Sequence, residues 1–337
     1  MTSFLERYAS QYRDATTSRG FKYHFLAIEP AAGQPTLLFL HGFPSHSFDW
    51  HYQVDYFHSK GYGLVVPDML GYGGTDKPTD PALFKYKLLS QDMIDVLDSI
   101  SWIKDAKVIA VAHDWGAAFN SRLMLYYSDR FIAFVSICVG GVRISNGPIE
   151  FDTLLPLLKQ ATGYELLAYQ EFFTKAPDAA QVMENNIESL LDLMTPADAS
   201  AWLTYLCVRG ATEEYMRGGK RIPRASFMSD EFAAAIKDSF QRNGLSAPLC
   251  WYKVFIEGHN TEDDATLQGK TVDKPVLYVG ATRDYVCPPA VHKAILGSFA
   301  SNLSTTEFDT GHWVFMEKPD QFNQELEAFV QKVTKAN

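Results

Sequence analysis

The stretch VIAVAHDWGAAFNSRLM, Val108 to Met124, constrains this chain more than any other. A continuous apolar run, as in a strand covered on both faces, passes without a loop into a helical pattern. The join is Ala112-His113-Asp114-Trp115-Gly116, a central residue with a small one two places to either side. So tight a strand-to-helix turn needs small neighbours, because the helix packs close behind it and the central side chain is lifted above the sheet edge. That central residue is Asp114. An Asp serving only as a helix cap would account for itself but not for its flanking small residues.

Further apolar runs read as strands: TLLFLHG (Thr36 to Gly42), YGLVVPD (Tyr62 to Asp68), FVSICVG (Phe134 to Gly140) and KPVLYVGA (Lys274 to Ala281), with KVIAVAHD leading into the turn at Asp114. A weaker one lies at Leu303 to Phe308. Their alternation with helical stretches predicts an α/β fold with a mostly parallel central sheet flanked by helices. Between about Val142 and Glu257 the pattern changes to helical segments: PIEFDTLLPLLKQATGYELLAYQEFF, QVMENNIESLLDLM and SDEFAAAIKDSFQRNG. This predicts an inserted helical cap over residues 142–257, with the core formed by residues 1–141 and 258–337.

Two more residues belong with Asp114. The strand PVLYVGA ends in Thr282-Arg283-Asp284, which puts Asp284 in a loop at a strand's C-terminal end, where open α/β sheets bind ligands. His312 follows in FDTGHWVFMEKP, ahead of a helical C-terminus. Taken singly, Asp284 reads as a loop cap and His312 as a satisfied imidazole. In the order nucleophile, acid, histidine, all at strand ends, they read as a catalytic triad. His41-Gly42-Phe43-Pro44 follows the first strong strand, and the backbone N–H groups of Phe43 and Trp115 are the expected oxyanion donors. The sequence permits a cis Phe43–Pro44 bond. His41, His46 and His51 recur every five residues, which places them on no common helical face and gives no metal site.

HGFP, HDWG, the Asp284 loop, GHW…MEKP and the glycine-rich PDMLGYGGTDKP together resemble the epoxide hydrolases of the α/β-hydrolase superfamily, with haloalkane and haloacetate dehalogenases as relatives. The glycine-rich stretch lacks a GK[ST] ending and is no phosphate loop; its Asp68 is expected to brace loops. The resemblance implies an α/β-hydrolase fold and conversion of a neutral epoxide and water to a vicinal diol through an alkyl ester on Asp114. It also implies two cap tyrosines that donate to the epoxide oxygen. Tyr252 in PLCWYKVF and Tyr169 in LLAYQEFF match those segments, with Tyr164 as runner-up for the first. Phe43, Trp115 and Trp313 are expected beside the substrate. An alternative is a dehalogenase using the same Asp nucleophile, although Phe43 replaces the side-chain amide usual in the haloalkane type. A further alternative is a non-catalytic ligand-binding hydrolase fold. Ester cleavage by a serine is disfavoured, because no Ser occupies the turn.

The net charge of −10 argues against a nucleic-acid surface and favours a neutral small-molecule partner. Cys138, Cys207, Cys250 and Cys287 form no CxxC pair, so neither zinc nor a disulfide framework is suggested. The N-terminus has no apolar signal core, and no run is long enough to span a membrane. A cytoplasmic protein is expected, as monomer or homodimer, in detoxification or biosynthesis; no motif implies a metal or organic cofactor.

Overall fold

The computed structural model describes residues 4–335 apart from 105 and 143. Its strands are β1 (Tyr12–Thr16), β2 (Lys22–Ile28), β3 (Thr36–Leu40), β4 (Gly63–Pro67), β5 (Val108–His113), β6 (Phe131–Ile137), β7 (Val276–Ala281) and β8 (Leu303–Phe308). They form one sheet in the order β1-β2-β4-β3-β5-β6-β7-β8. β1 pairs antiparallel with β2, and β2 with β4; the other neighbours are parallel. From β3 the chain crosses one way to β4 and then the other way to β5. The crevice between the ends of β3 and β5 is therefore a topological switch point, where such sheets place ligands.

Every residue of β3, β4, β5 and β7 is buried, which is why those segments are continuous apolar runs. β8, at the sheet edge, has no buried residue, and this is the physical reason for its faint signature. β1 and β2 were not anticipated. Tyr12, Arg13 and Asp14 carry no apolar run, and the strand they start lies at the exposed opposite edge. β6 begins three residues before the segment read as a strand.

Between β6 and β7 the described residues hold helices, an isolated bridge from Pro196 to Arg224, and Val272, which bridges to Ala300 beyond β7. The long helical run from Pro148 divides into helices Phe151–Thr162 and Tyr169–Lys175, because Gly163 takes φ 90° and ends the first one, its N–H donating to Lys159 O. The second run breaks at Asn186 into Ala179–Asn185 and Ile187–Met194. Ser229 starts helix Asp230–Asn243, its side chain accepting from the Phe232 N–H. No helix among the described residues is long and apolar enough to cross a membrane.

One buried ion pair ties these helices to the sheet. Arg122, on helix Trp115–Tyr127, donates from Nε and a terminal nitrogen to the two oxygens of Asp264 at 2.7 and 2.8 Å. The same Asp264 accepts from the Ser145 N–H at 2.8 Å, and Arg122 also donates to Val142 O at 3.0 Å. The pair thus clamps the chain where it leaves β6 to the segment that returns towards β7. Removing one partner leaves a buried charge without its counter-ion. Asp264→Ala is expected to lower stability by roughly 3–5 kcal/mol. Urea denaturation checks this, and a loss below about 1 kcal/mol would mean that the site rehydrates freely.

Candidate active site

β5 delivers Asp114 to the turn with φ 53° and ψ −125°, backbone territory that L residues seldom occupy. The neighbours make the bend feasible by lacking side chains. A Cβ on Gly42 would lie 2.2 Å from Asp114 Oδ1, and one on Gly116 would lie 2.5 Å from Leu40 O. Asp114 Oδ1 instead accepts the Phe43 N–H at 2.9 Å. The Phe43–Pro44 peptide is cis. Trp115 opens the following helix, and its N–H makes no hydrogen bond to the carboxylate among the described residues. Of the two expected oxyanion donors, Phe43 already holds the carboxylate.

His312 stands between two carboxylates. Its Nδ1 meets Asp284 Oδ2 at 2.6 Å, and its Nε2 faces Asp114 Oδ2 at 3.5 Å. Asp284 Oδ1 accepts from the N–H groups of Val286 and Cys287, so its loop is fixed before it holds the imidazole. Burial disfavours the imidazolium, yet the Asp284 charge and hydrogen bond, together with the Asp114 carboxylate facing Nε2, outweigh it and hold His312 well above its ordinary value. Burial likewise opposes ionisation of Asp114, but the facing His312 ring and the Phe43 N–H leave it below the usual carboxylate range. Asp284 is lowered too, against burial, by the His312 charge and its backbone donors. The Asp114 side chain remains 14% exposed, so water-sized space reaches it although its surroundings are buried.

The two matched tyrosines converge over this carboxylate. Tyr252, on helix Cys250–Ile256, packs edge-on against the rings of Trp115 at 4.8 Å and Phe43 at 5.3 Å. Tyr169 meets Tyr252 at 5.9 Å between ring centroids. Burial first, then the nearby charge of Asp114, raises the pKa of Tyr169; for Tyr252 the order is burial, Tyr169, then Asp114. Both remain phenols at neutral pH. The Gln170 amide donates to Tyr169 Oη at 3.2 Å, which leaves the phenol proton for another acceptor. The Tyr252 helix is pinned through Trp251, whose indole N–H donates to Leu70 O at 2.9 Å. Tyr164 lies by Cys207 and Asp284 instead, and burial pushes it to about 12.

A cavity of about 420 Å³ opens beside His312, walled by Trp202, Trp313, Phe227 and Ala199 with Arg224 and Arg283 also lining it. Trp313 donates its indole N–H to Met194 O and packs edge-on against the His312 ring. His41 is held as a brace: Nδ1–H donates to Gly42 O, and Nε2 accepts from the Met69 N–H. Asp68 accepts from the Ser47 and Gly74 N–H groups, again a loop brace. Among the described residues two donor sets could hold a metal ion, His113-Cys138-His312 and Asp284-Cys287-His312, the ligand atoms of each set within 4.8 Å of one another. Either would take His312 from its present work.

The sequence profile of the α/β hydrolase fold matches residues 35–319. The chain belongs to this family. Among its relatives, the epoxide hydrolase srdG of Neurospora crassa is 25% identical over 94% of this chain and 93% of its own. An epoxide hydrolase of Caballeronia sordidicola is 26% identical over 99% and 97%, and epoxide hydrolase A of Mycobacterium tuberculosis 26% over 88% and 91%. Among solved structures, the epoxide hydrolase of Vigna radiata superposes with a TM-score of 0.77 at 22% identity, covering 95% of this chain and 97% of that one. A mutant of the epoxide hydrolase from Solanum tuberosum gives 0.75 at 25%, covering 95% and 99%. Within this α/β-hydrolase, sequence reasoning missed three neighbours of His312: His113, Cys138 and Trp202. His113 was visible in the HDWG motif, but nothing in its spacing says what its ring touches.

Proposed function

We propose that this α/β-hydrolase converts an epoxide to a vicinal diol through an alkyl ester on Asp114. The observation that supports it most is the carboxylate's two-sided setting: Phe43 N–H on one oxygen, His312 across from the other, phenols above. Asp114 Oδ2 attacks a ring carbon, the C–O bond breaks, and the alkoxide takes a proton from Tyr169 or Tyr252. Water then gives a proton to His312 and attacks the ester carbonyl, whose oxygen rests on the N–H groups of Phe43 and Trp115. Asp284 stabilises the imidazolium formed. Collapse expels the diol oxygen, which takes that proton back, and the remaining proton restores the tyrosinate. Residues 142–257 act as the cap that carries both phenols, and Phe43, Trp115 and Trp313 flank the substrate. The names of the relatives favour an epoxide over an alkyl halide. The four free cysteines fit a reducing cytoplasm.

A single turnover in heavy-oxygen water tests the ester route. The first diol from unlabelled enzyme carries no label, because its new oxygen comes from Asp114; full label in that diol sinks the route. Halide release from haloalkanes or haloacids with no diol from any epoxide would reassign the reaction. Tyr252→Phe is expected to slow ring opening by about 10²-fold or more and to leave ester hydrolysis nearly unchanged. Stopped-flow separation of the two steps checks this, and equal slowing would speak against a proton donor.

A further inference from the structure

Resting on that reading, we infer that His113 and Cys138 are positioning residues: two buried donors meeting on the His312 main-chain carbonyl fix where its imidazole stands for ester hydrolysis. His113 Nε2 lies 2.9 Å from His312 O, and Cys138 Sγ lies 3.1 Å from the same atom. A carbonyl oxygen only accepts, so His113 carries its proton on Nε2 and Cys138 donates its S–H. Both side chains are fully buried, and the rings of His113 and His312 lie 4.4 Å apart.

The loop after β8 needs such ties, because residues 309–313 belong to no helix or strand. Glu317 holds the N–H groups on either side, Gly311 at 2.9 Å and Trp313 at 3.3 Å, and the two donors hold the carbonyl between them. Asp284 grips the ring at Nδ1 alone, and a ring held at one atom pivots. The carbonyl tie supplies the second fixed point. It comes from the last residue of β5 and from the end of β6, so the strand that presents the nucleophile also fixes the base. Asp114 attacks the epoxide without help from His312, so misplacing the imidazole harms only the second step. A shift near 1 Å costs about 10²-fold in such a step.

The experiment compares His113→Leu with His113→Gln, whose amide N–H reaches as far as Nε2, using styrene oxide and rapid-quench mass spectrometry of the intact chain. In His113→Leu, ester hydrolysis falls about 10–100-fold and kcat and KM fall together. kcat/KM stays within about twofold and the ester dominates the steady state, while Gln recovers most of the lost rate. The role is overturned if kcat/KM falls as far as kcat, if no extra ester builds up, or if Gln does no better than Leu. Should His113→Leu fail to fold, Cys138→Ala decides, with the same pattern in weaker form and recovery by Cys138→Ser. Absence of any ester in both the parent chain and His312→Gln would instead sink the epoxide reading itself.

Discussion

Asp114→Asn loses turnover by about 10⁴-fold or more while folding as the parent does. An amide of the same size keeps the bend and can still meet the Phe43 N–H, but it brings no anionic oxygen to the substrate. The readout is diol formation in freshly purified protein, with intact mass followed to exclude slow deamidation back to Asp. Undiminished activity would remove the ester from the mechanism. The same variant tests the electrostatics. His312 is held above its ordinary value partly by the Asp114 carboxylate facing it, so the neutral amide lowers it, and NMR titration of the ring reads the change. The sign extends to stability. A raised imidazole stabilises the fold at low pH, and that contribution is lost as pH rises through its folded pKa. Asp114 and Asp284, both lowered, contribute above the usual carboxylate range and lose it as pH falls.

His312→Gln stops the second step without stopping the first. One equivalent of epoxide is consumed in a burst, the chain gains that mass at Asp114, and further hydrolysis is slower by about 10²–10⁴-fold. The asymmetry follows from geometry: Nε2 faces Asp114 across a gap of 3.5 Å, long for a direct hydrogen bond and well placed to activate a water. No burst and no mass gain would mean that His312 acts before the ester forms. Esterification also removes the Asp114 charge that helps hold the imidazolium. The base is then easier to deprotonate at the moment it must take a proton from water.

Much of this architecture could be read from residue order. Buried parallel strands advertise themselves as apolar runs, and β3, β4, β5 and β7 are buried throughout. The bend at Asp114 was legible because its steric demands fall on neighbours, Ala112 and Gly116, that must be small. β1 left no trace because an edge strand with exposed Arg13 and Asp14 has no face that must be apolar. The helical region was legible only as helical. Its breaks at Gly163 and Asn186 depend on single backbone conformations, which periodicity does not encode. The convergence of Tyr169 and Tyr252 depends on long-range anchors such as Trp251 to Leu70 O, which join segments 181 residues apart. Contacts through a main-chain carbonyl, like those on His312 O, involve no side-chain pattern on the receiving residue and so leave no motif there.

The left-handed backbone at residue 114 has a cost for the molecule as a whole. A non-glycine residue in such a conformation forfeits on the order of 1–3 kcal/mol of folding free energy, and the sheet on either side of β5 must offset it. Glycine there would relax the bend and make a sturdier, inert protein. What the strained backbone obtains in return is the position of the Asp114 carboxylate, against the Phe43 N–H on one side and His312 on the other.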